Sequence, residues 1–237
     1  MAYKRVLLKL SGEQLAGKYE FGVDPEIAAY LAKEIKATLA QSDCQLVLII
    51  GGGNMVRGAK AAGHGIRRVT ADQMGMLSGL INSMAMTDIF EAHGLPTRCL
   101  SNVFAEQITE NYSYRRAEKH LEQGRVLIVA GGSGRPYVTH DTAAVMFALE
   151  LDCEVVLKAT KVDGVYDKDP AQSDDAVLIP HMTFHEAVAN QAVAVMDKAA
   201  LGLALEQRKP LIVFNPMTPG NLASAVSGNP IGTQISE

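Results

Sequence analysis

A lysine at the end of a buried strand is costly unless it faces an anion, and Lys9, just past the apolar run Arg5-Val6-Leu7-Leu8, is such a lysine. The bland alternative is a core lysine whose ammonium snorkels to water. Lys9-Leu10-Ser11-Gly12 is the first of four such strand ends. The run Leu46 to Ile50 passes into Gly51-Gly52-Gly53-Asn54 and then Arg57-Gly58. Arg125 to Ala130 passes into Gly131-Gly132-Ser133-Gly134-Arg135-Pro136, then Tyr137-Val138-Thr139-His140-Asp141. Val155-Val156-Leu157 leads into Lys158-Ala159-Thr160-Lys161-Val162-Asp163-Gly164. Glycine lets backbone amides approach an anion closely, and a helix N-terminus behind the loop adds a favourable dipole. One such loop says little; several at one edge of a sheet point to a site for several phosphates.

The charged residues in these loops suit phosphoryl transfer, where catalysis is positioning and charge neutralisation. Arg57 could hold a phosphate bidentately or lie solvated on a helix. Asp141 falls where a helix starts; it caps that helix, and it is placed to orient a lysine or magnesium. Other phosphate motifs fail. Gly12-Glu13-Gln14-Leu15-Ala16-Gly17-Lys18-Tyr19 matches the P-loop until its last position, where tyrosine cannot replace the small hydroxyl that ligates magnesium. No GxGxxG follows a strand, and the protein-kinase motif set is absent. His181, His185 and Glu186 resemble half a metal site without a third ligand, and Asp163, Asp167 and Asp169 lack calcium-loop spacing.

The frame for these loops is an ordinary globular chain of 237 residues, 48% hydrophobic and 20% charged, long enough for a core without staples. Its net charge of −4 argues against general nucleic-acid or membrane-surface binding, though not against a local basic pocket. Cys44, Cys99 and Cys153 are far apart and form no CxxC, so neither a disulfide framework nor a zinc ribbon is encoded. No apolar run approaches membrane-spanning length, and the N-terminal residues lack a signal-peptide core. The expectation is a cytoplasmic protein with no membrane partner.

Near-continuous apolar runs, including Leu211-Ile212-Val213-Phe214, suit strands buried on both faces of a parallel sheet. Helices lie between them. Asp24-Pro25-Glu26 opens one to about Ala40, another runs from about Ser113 to Gly124, and a third covers roughly Ala71 to Ala92. That third helix has no charge between Asp72 and Asp88 and holds Met74, Met76, Met84 and Met86. Such a helix is buried on more than one side, as a core element or as a subunit interface. Strand, crossover helix, strand predicts a doubly wound α/β fold, and residues 1–237 show no repeat, linker or composition break, so one domain is expected.

Taken together, the Lys9–Gly12 segment, Gly51-Gly52-Gly53-Asn54 with Arg57-Gly58, the loop before Asp141-Thr142-Ala143-Ala144, and Lys158 to Tyr166 resemble the bacterial uridylate (UMP) kinases of the amino acid kinase superfamily. Asp72-Gln73-Met74-Gly75-Met76 and Val195-Met196-Asp197 fit as well, and the likeness extends from Tyr3 to Glu237. The resemblance implies a three-layer α/β/α sandwich around a mainly parallel sheet, transfer of the γ-phosphoryl of magnesium-ATP to UMP in pyrimidine nucleotide biosynthesis, a homohexamer, GTP activation and UTP inhibition. It favours the interface reading of the Met-rich helix. It implies that Lys9, Leu10, Ser11 and Gly12 meet the ATP phosphates, with Gly53 and Arg57 nearby and Lys158 assisting. Thr160, Tyr166 and Asp169 would hold the ATP nucleoside, and Asp141 would organise the catalytic groups. Gly52, Asp72 and the stretch Ser133, Gly134, Arg135, Pro136, Tyr137, Val138, Thr139 and His140 would bind UMP. Gly17, Lys18, Tyr19, Glu20, Phe21 and Gly22 match the loop tied to GTP activation.

The chain departs from the family loop G-T-G-N-P-[FY]-F-[ST]-T-D at two telling places: Arg135 replaces an asparagine, and His140 replaces a threonine hydroxyl. Both can still donate to uracil or phosphate, and a protonated His140 would add positive charge beside the acceptor phosphate. Competing readings are a kinase of the same fold acting on a carboxylate or carbamate, and a non-catalytic nucleotide or oxyanion binder.

Overall fold

The computed structural model describes residues 2–56, 65–189 and 195–237. Along the chain the elements are β1 (Arg5–Leu10), α1 (Gly12–Leu15), α2 (Pro25–Ala40), β2 (Gln45–Ile50), α3 (Arg68–Ala92), β3 (Thr97–Ser101), β4 (Glu110–Asn111), α4 (Tyr114–Glu122) and β5 (Val126–Ala130). There follow α5 (His140–Glu150), β6 (Val155–Ala159), β7 (Val165–Tyr166), β8 (Leu178–Ile179), β9 (His181–Thr183), α6 (Phe184–Ala189), α7 (Lys198–Glu206), β10 (Leu211–Phe214), α8 (Asn221–Val226) and β11 (Thr233–Ser236).

Nine strands form one sheet in the order β4-β3-β5-β2-β1-β6-β10-β11-β9, and β7 pairs with β8 in a separate ribbon. Its pairings are parallel except β10 with β11. The five apolar runs read from the sequence are β5, β2, β1, β6 and β10, the contiguous centre of the sheet. Their burial is nearly complete, as strands covered on both faces require.

Alternation along each strand divides the core into two. Leu7, Val47, Ile49, Val129 and Val156 pack with α4, α5 and α7 on one face. Val6, Leu8, Leu48, Ile50 and Leu157 pack with α2, α3 and α8 on the other. This is the expected three-layer α/β/α arrangement. Lys9 is two residues from Leu7 and Lys158 two from Val156, so both lysines project to the α5 face.

Helix ends follow their capping residues. Asp24 accepts from Glu26 N with Pro25 at the first turn of α2, and Ser113 caps α4. Gly124, just past α4, has φ +69°, the left-handed stop the sequence predicted. Helix α3 begins at Arg68, earlier than the expected Ala71. Its inner side is built of small and polar residues (Ser78, Gly79, Asn82, Ser83), while Leu77, Ile81 and Met84 lie exposed at helical spacing on its outer side.

Candidate active site

Parallel register sets the centre of the site. Lys9 on β1 is the direct neighbour of Lys158 on β6. Between them stands Asp141, in the first turn of α5. Lys9 Nζ lies 2.7 Å from Asp141 Oδ1, and Lys158 Nζ lies 3.0 Å from Asp141 Oδ2. The Asp141 side chain is 15% exposed and those of Lys9 and Lys158 11% and 12%. Burial by itself would raise the Asp141 pKa, but the two lysines overrule it and hold the carboxyl down at about 2. For Lys158, burial is the largest influence and lowers its pKa; Lys9 acts in the same direction and Asp141 opposes both. Lys158 also donates to the Val195 carbonyl.

The N-terminus of α5 is fixed by a second carboxylate. The cap of α5 is Thr139, not Asp141 as the sequence suggested: its Oγ1 accepts from Asp141 N and Thr142 N, both at 3.1 Å, and donates to Asp197. Asp197 also accepts from Thr142 Oγ1 at 3.0 Å while capping α7 through Ala199 N and Ala200 N. Sequence reasoning noted Asp197 only within a family segment; its place before Lys198-Ala199-Ala200 was the available sign of a cap.

Beside the triad lies a cleft of about 270 Å³ lined by Gly52, Gly53, Val56, Arg68, Asp72, Gly75, Met76, Gly132, Val138, Thr139 and His140. Gly52 packs so tightly on α3 that a Cβ there would fall 2.5 Å from Ser78 Cβ and 2.7 Å from the Gly75 carbonyl oxygen. Both Asp72 oxygens lie 2.9 Å from Arg68 Nε, and Tyr137 N donates to Oδ2 at 2.9 Å. Tyr137 has φ +65°, is exposed, and stacks under Arg68 at 5.2 Å. Ser133, Gly134, Arg135 and Pro136 form the preceding turn, where Ser133 Oγ accepts from Arg135 N at 3.2 Å; they do not line the cleft. Arg68, lining the cleft, was not singled out by the sequence reading.

His140 corrects one expectation. Its Nε2 is shut off from solvent without a partner among the described residues, close to Gly79 and Gly132. Burial, reinforced by Lys9, lowers its pKa to about 4. The imidazole is therefore neutral near pH 7 in the free protein and adds no positive charge to the cleft.

A second cleft, about 150 Å³, is lined by Glu13, Gln14, Gly17, Lys161, Asn215 and Met217. Ser11 caps α1, with Gln14 completing a capping box, so Gly12 opens that short helix. Thr160 Oγ1 donates to the Val162 carbonyl at 2.7 Å, and Thr160 N to the Phe214 carbonyl at 2.9 Å. Tyr166 sits in the β7–β8 ribbon, and Asp169 holds its own turn through Ala171 N and Gln172 Nε2. In the 17–22 loop, Gly17 has φ +53° and Lys18 pairs with Glu26 at 3.0 Å; Tyr19 and Phe21 are exposed, as is Glu20. Arg57, with Gly58 and His64, lies outside the described residues. A larger cleft of about 390 Å³, between α3 and the β3–β4 edge, holds none of these loops.

Among the described residues no three His, Cys, Asp or Glu side chains could hold a metal ion. His181 Nε2 is 3.0 Å from Ser236 Oγ, and Glu186 accepts from Thr183. No helix of the described residues is long and apolar enough to cross a membrane.

A parallel sheet that brings glycine loops, two lysines and a shared carboxylate to one edge has the anatomy of a phosphotransferase, and the amino acid kinase family model matches residues 4–215. The chain belongs to the amino acid kinase family. Among solved structures, it is similar to the UMP kinase from Bacillus anthracis (34% identity, TM-score 0.92, covering 100% of this chain and 97% of that one). It is also similar to the UMP kinase from Ureaplasma parvum (30% identity, TM-score 0.89, full coverage of both chains). The uridylate kinase from Archaeoglobus fulgidus, at 24% identity and TM-score 0.75 over both full chains, shares the fold.

Proposed function

We propose that the protein is a UMP kinase, transferring the γ-phosphoryl group of magnesium-ATP to UMP to give UDP and ADP. The observation that carries this reading is the end-to-end match to UMP kinases at 30–34% identity. The Lys9–Asp141–Lys158 cluster at the carboxyl edge of the same sheet supplies chemistry to suit.

In this reading the donor phosphates lie over Leu10, Ser11, Gly12 and Gly53, with the nucleoside towards Thr160, Tyr166 and Asp169. UMP occupies the cleft of Gly52, Asp72, Val138, Thr139 and His140. An oxygen of the UMP phosphate attacks Pγ as the bond from Pγ to the bridging oxygen breaks, and ADP leaves with that electron pair. The acceptor phosphate is already an anion near neutral pH, so no protein base is required. Lys9 stabilises charge on the group in flight, and Asp141 holds both ammonium groups in place. Magnesium enters on the ATP phosphates, as small hard cations do at kinase sites. Arg57 belongs to the same set by family pattern.

The reading extends to regulation and assembly. The 17–22 loop would respond to GTP, UTP would inhibit, and the exposed stripe Leu77, Ile81 and Met84 would be covered in a homohexamer. A cytoplasmic location follows from the substrates.

ADP release from magnesium-ATP with UMP, CMP, dUMP and AMP as separate acceptors tests the activity. Strong UMP preference is the expected result. Turnover of several acceptors would show that Arg135 and His140 have relaxed selection. Nucleotide binding without turnover of any acceptor would replace the kinase with a binding protein.

A further inference from the structure

Beneath the glycine loops lies a reciprocal pair of side-chain amides, Asn54 at the end of the Gly51–Gly53 loop and Asn82 in the middle of α3. Asn54 Nδ2 donates to Asn82 Oδ1 at 3.0 Å, and Asn82 Nδ2 donates to Asn54 Oδ1 at 2.7 Å. Each amide spends its second N–H on a loop carbonyl: Asn82 on Gly51 at 2.7 Å, Asn54 on Gly22. Asn82 is fully buried and Asn54 is 7% exposed. All four N–H bonds are made, the condition under which a buried polar pair fixes one geometry instead of weakening the core.

The pair touches both phosphate-side loops. Gly12 lies directly on it: a Cβ at Gly12 would stand 2.3 Å from Asn54 Oδ1 and 2.6 Å from the Gly51 carbonyl oxygen. The Gly51–Gly53 backbone hangs from it through the Gly51 carbonyl. Hence Gly12 on the donor side and the Gly51–Gly53 loop, with Gly53 on the donor side and Gly52 on the acceptor side, rest on one pair of side chains anchored to α3.

We infer that Asn82 is a positioning residue for phosphoryl transfer, acting through Asn54 to fix Gly12, on the donor side, relative to Gly52, on the acceptor side. The inference rests on the proposed kinase reading and adds a residue that touches neither substrate. In an in-line transfer, a misplacement of about 1 Å costs on the order of a hundredfold in rate without a matching loss of binding. The signature of Asn82 is therefore a split between turnover and affinity.

The test is Asn82→Leu, which keeps the branched shape and removes all three amide bonds, beside Ser83→Ala. Among the described residues the buried Ser83 hydroxyl bonds only to the Gly79 carbonyl in its own helix at 2.7 Å, so it is a control for damage to α3. Wild type is assayed first with magnesium-ATP and UMP, so that absent wild-type turnover refutes the kinase reading separately. Asn82→Leu is expected to lower kcat by about ten- to a hundredfold while the Kd of ATP and of UMP, each measured alone, changes by less than about threefold. Ser83→Ala should keep its kcat. Unchanged kcat in folded Asn82→Leu overturns the inference, as does loss of kcat and affinity in step with thermal midpoint in both variants. If Asn82→Leu does not fold, Asn82→Asp carries the same test, because it still accepts from Asn54 and cannot donate to the Gly51 carbonyl.

Discussion

Strand β1 carries a partly buried cation near each end, and the two ends are built on opposite plans. At its start, Arg5 is paired one to one: Nη1 meets Glu118 at 2.7 Å and the Leu151 carbonyl at 2.6 Å, while Nε meets Gln45 at 2.7 Å. At its finish, Lys9 shares a single carboxylate with Lys158, so those three side chains carry a formal net positive charge, and beside them lies a cleft with His140 Nε2, unpartnered among the described residues. A one-to-one, fully bonded pair has no call on a ligand. Two ammonium groups on one carboxylate beside a cleft favour a further anion, so the lesson lies in stoichiometry more than in burial.

The hardest test of that contrast is Lys9→Ala. If the surplus charge exists for the transferred group, kcat should fall by about 10²–10³-fold, the usual size for one transition-state donor. The Kd of UMP should move by less than about threefold, because uniform binding is not what was removed. Equal losses in turnover and affinity would reduce Lys9 to an anion-binding group and blur the distinction between the two ends.

His140 sharpens the contrast through pH. Its folded pKa of about 4 lies below the ordinary imidazole value of 6.5, so the unfolded chain binds the proton more tightly. Nothing is lost above about pH 6.5, where both states are neutral; a penalty then grows as pH falls towards 4. Allowing for partial exposure, that penalty should reach about 2 kcal/mol, and His140→Thr should remove it. Urea midpoints of both proteins at pH 7 and pH 4.5 decide the matter. An equal acid loss in wild type and variant would mean that His140 is not held neutral.

How much of this could be read from the chain differs by element for physical reasons. The central strands β1, β2, β5, β6 and β10 announced themselves because strands covered on both faces must be apolar throughout. Strands β3, β9 and β11 (Thr97–Ser101, His181–Thr183 and Thr233–Ser236) are short and mixed in polarity, and they left no such trace. Lys9, Asp141 and Lys158 were legible as costly residues at strand and helix ends, but their convergence on one carboxylate depends on register across β1 and β6. Asn82 stayed hidden, since its partner is 28 residues away and an uncharged, Met-rich helix draws attention to its apolar residues. Arg68 pairs with Asp72 four residues on, a common spacing on any helix surface, and only the fold puts that pair in a cleft.

The smallest effect belongs to the opposite end of β1, and it is the one the contrast needs most. Glu118→Gln removes the charge opposite Arg5 but leaves an oxygen able to accept one of its bonds, so the guanidinium is not stranded. With side chains 17% and 22% exposed, the pair is partly screened. The expected cost is about 1 kcal/mol, or a fall of roughly 2–4 °C in thermal midpoint for a chain of this size. Turnover of magnesium-ATP with UMP should be unchanged, because β1 separates this pair from the lysine cluster by its own length. A tenfold fall in kcat would mean that β1 transmits disturbance from one end to the other. The balanced pair would then belong to the catalytic machinery, and stoichiometry would no longer separate a structural ion pair from a functional one in this fold.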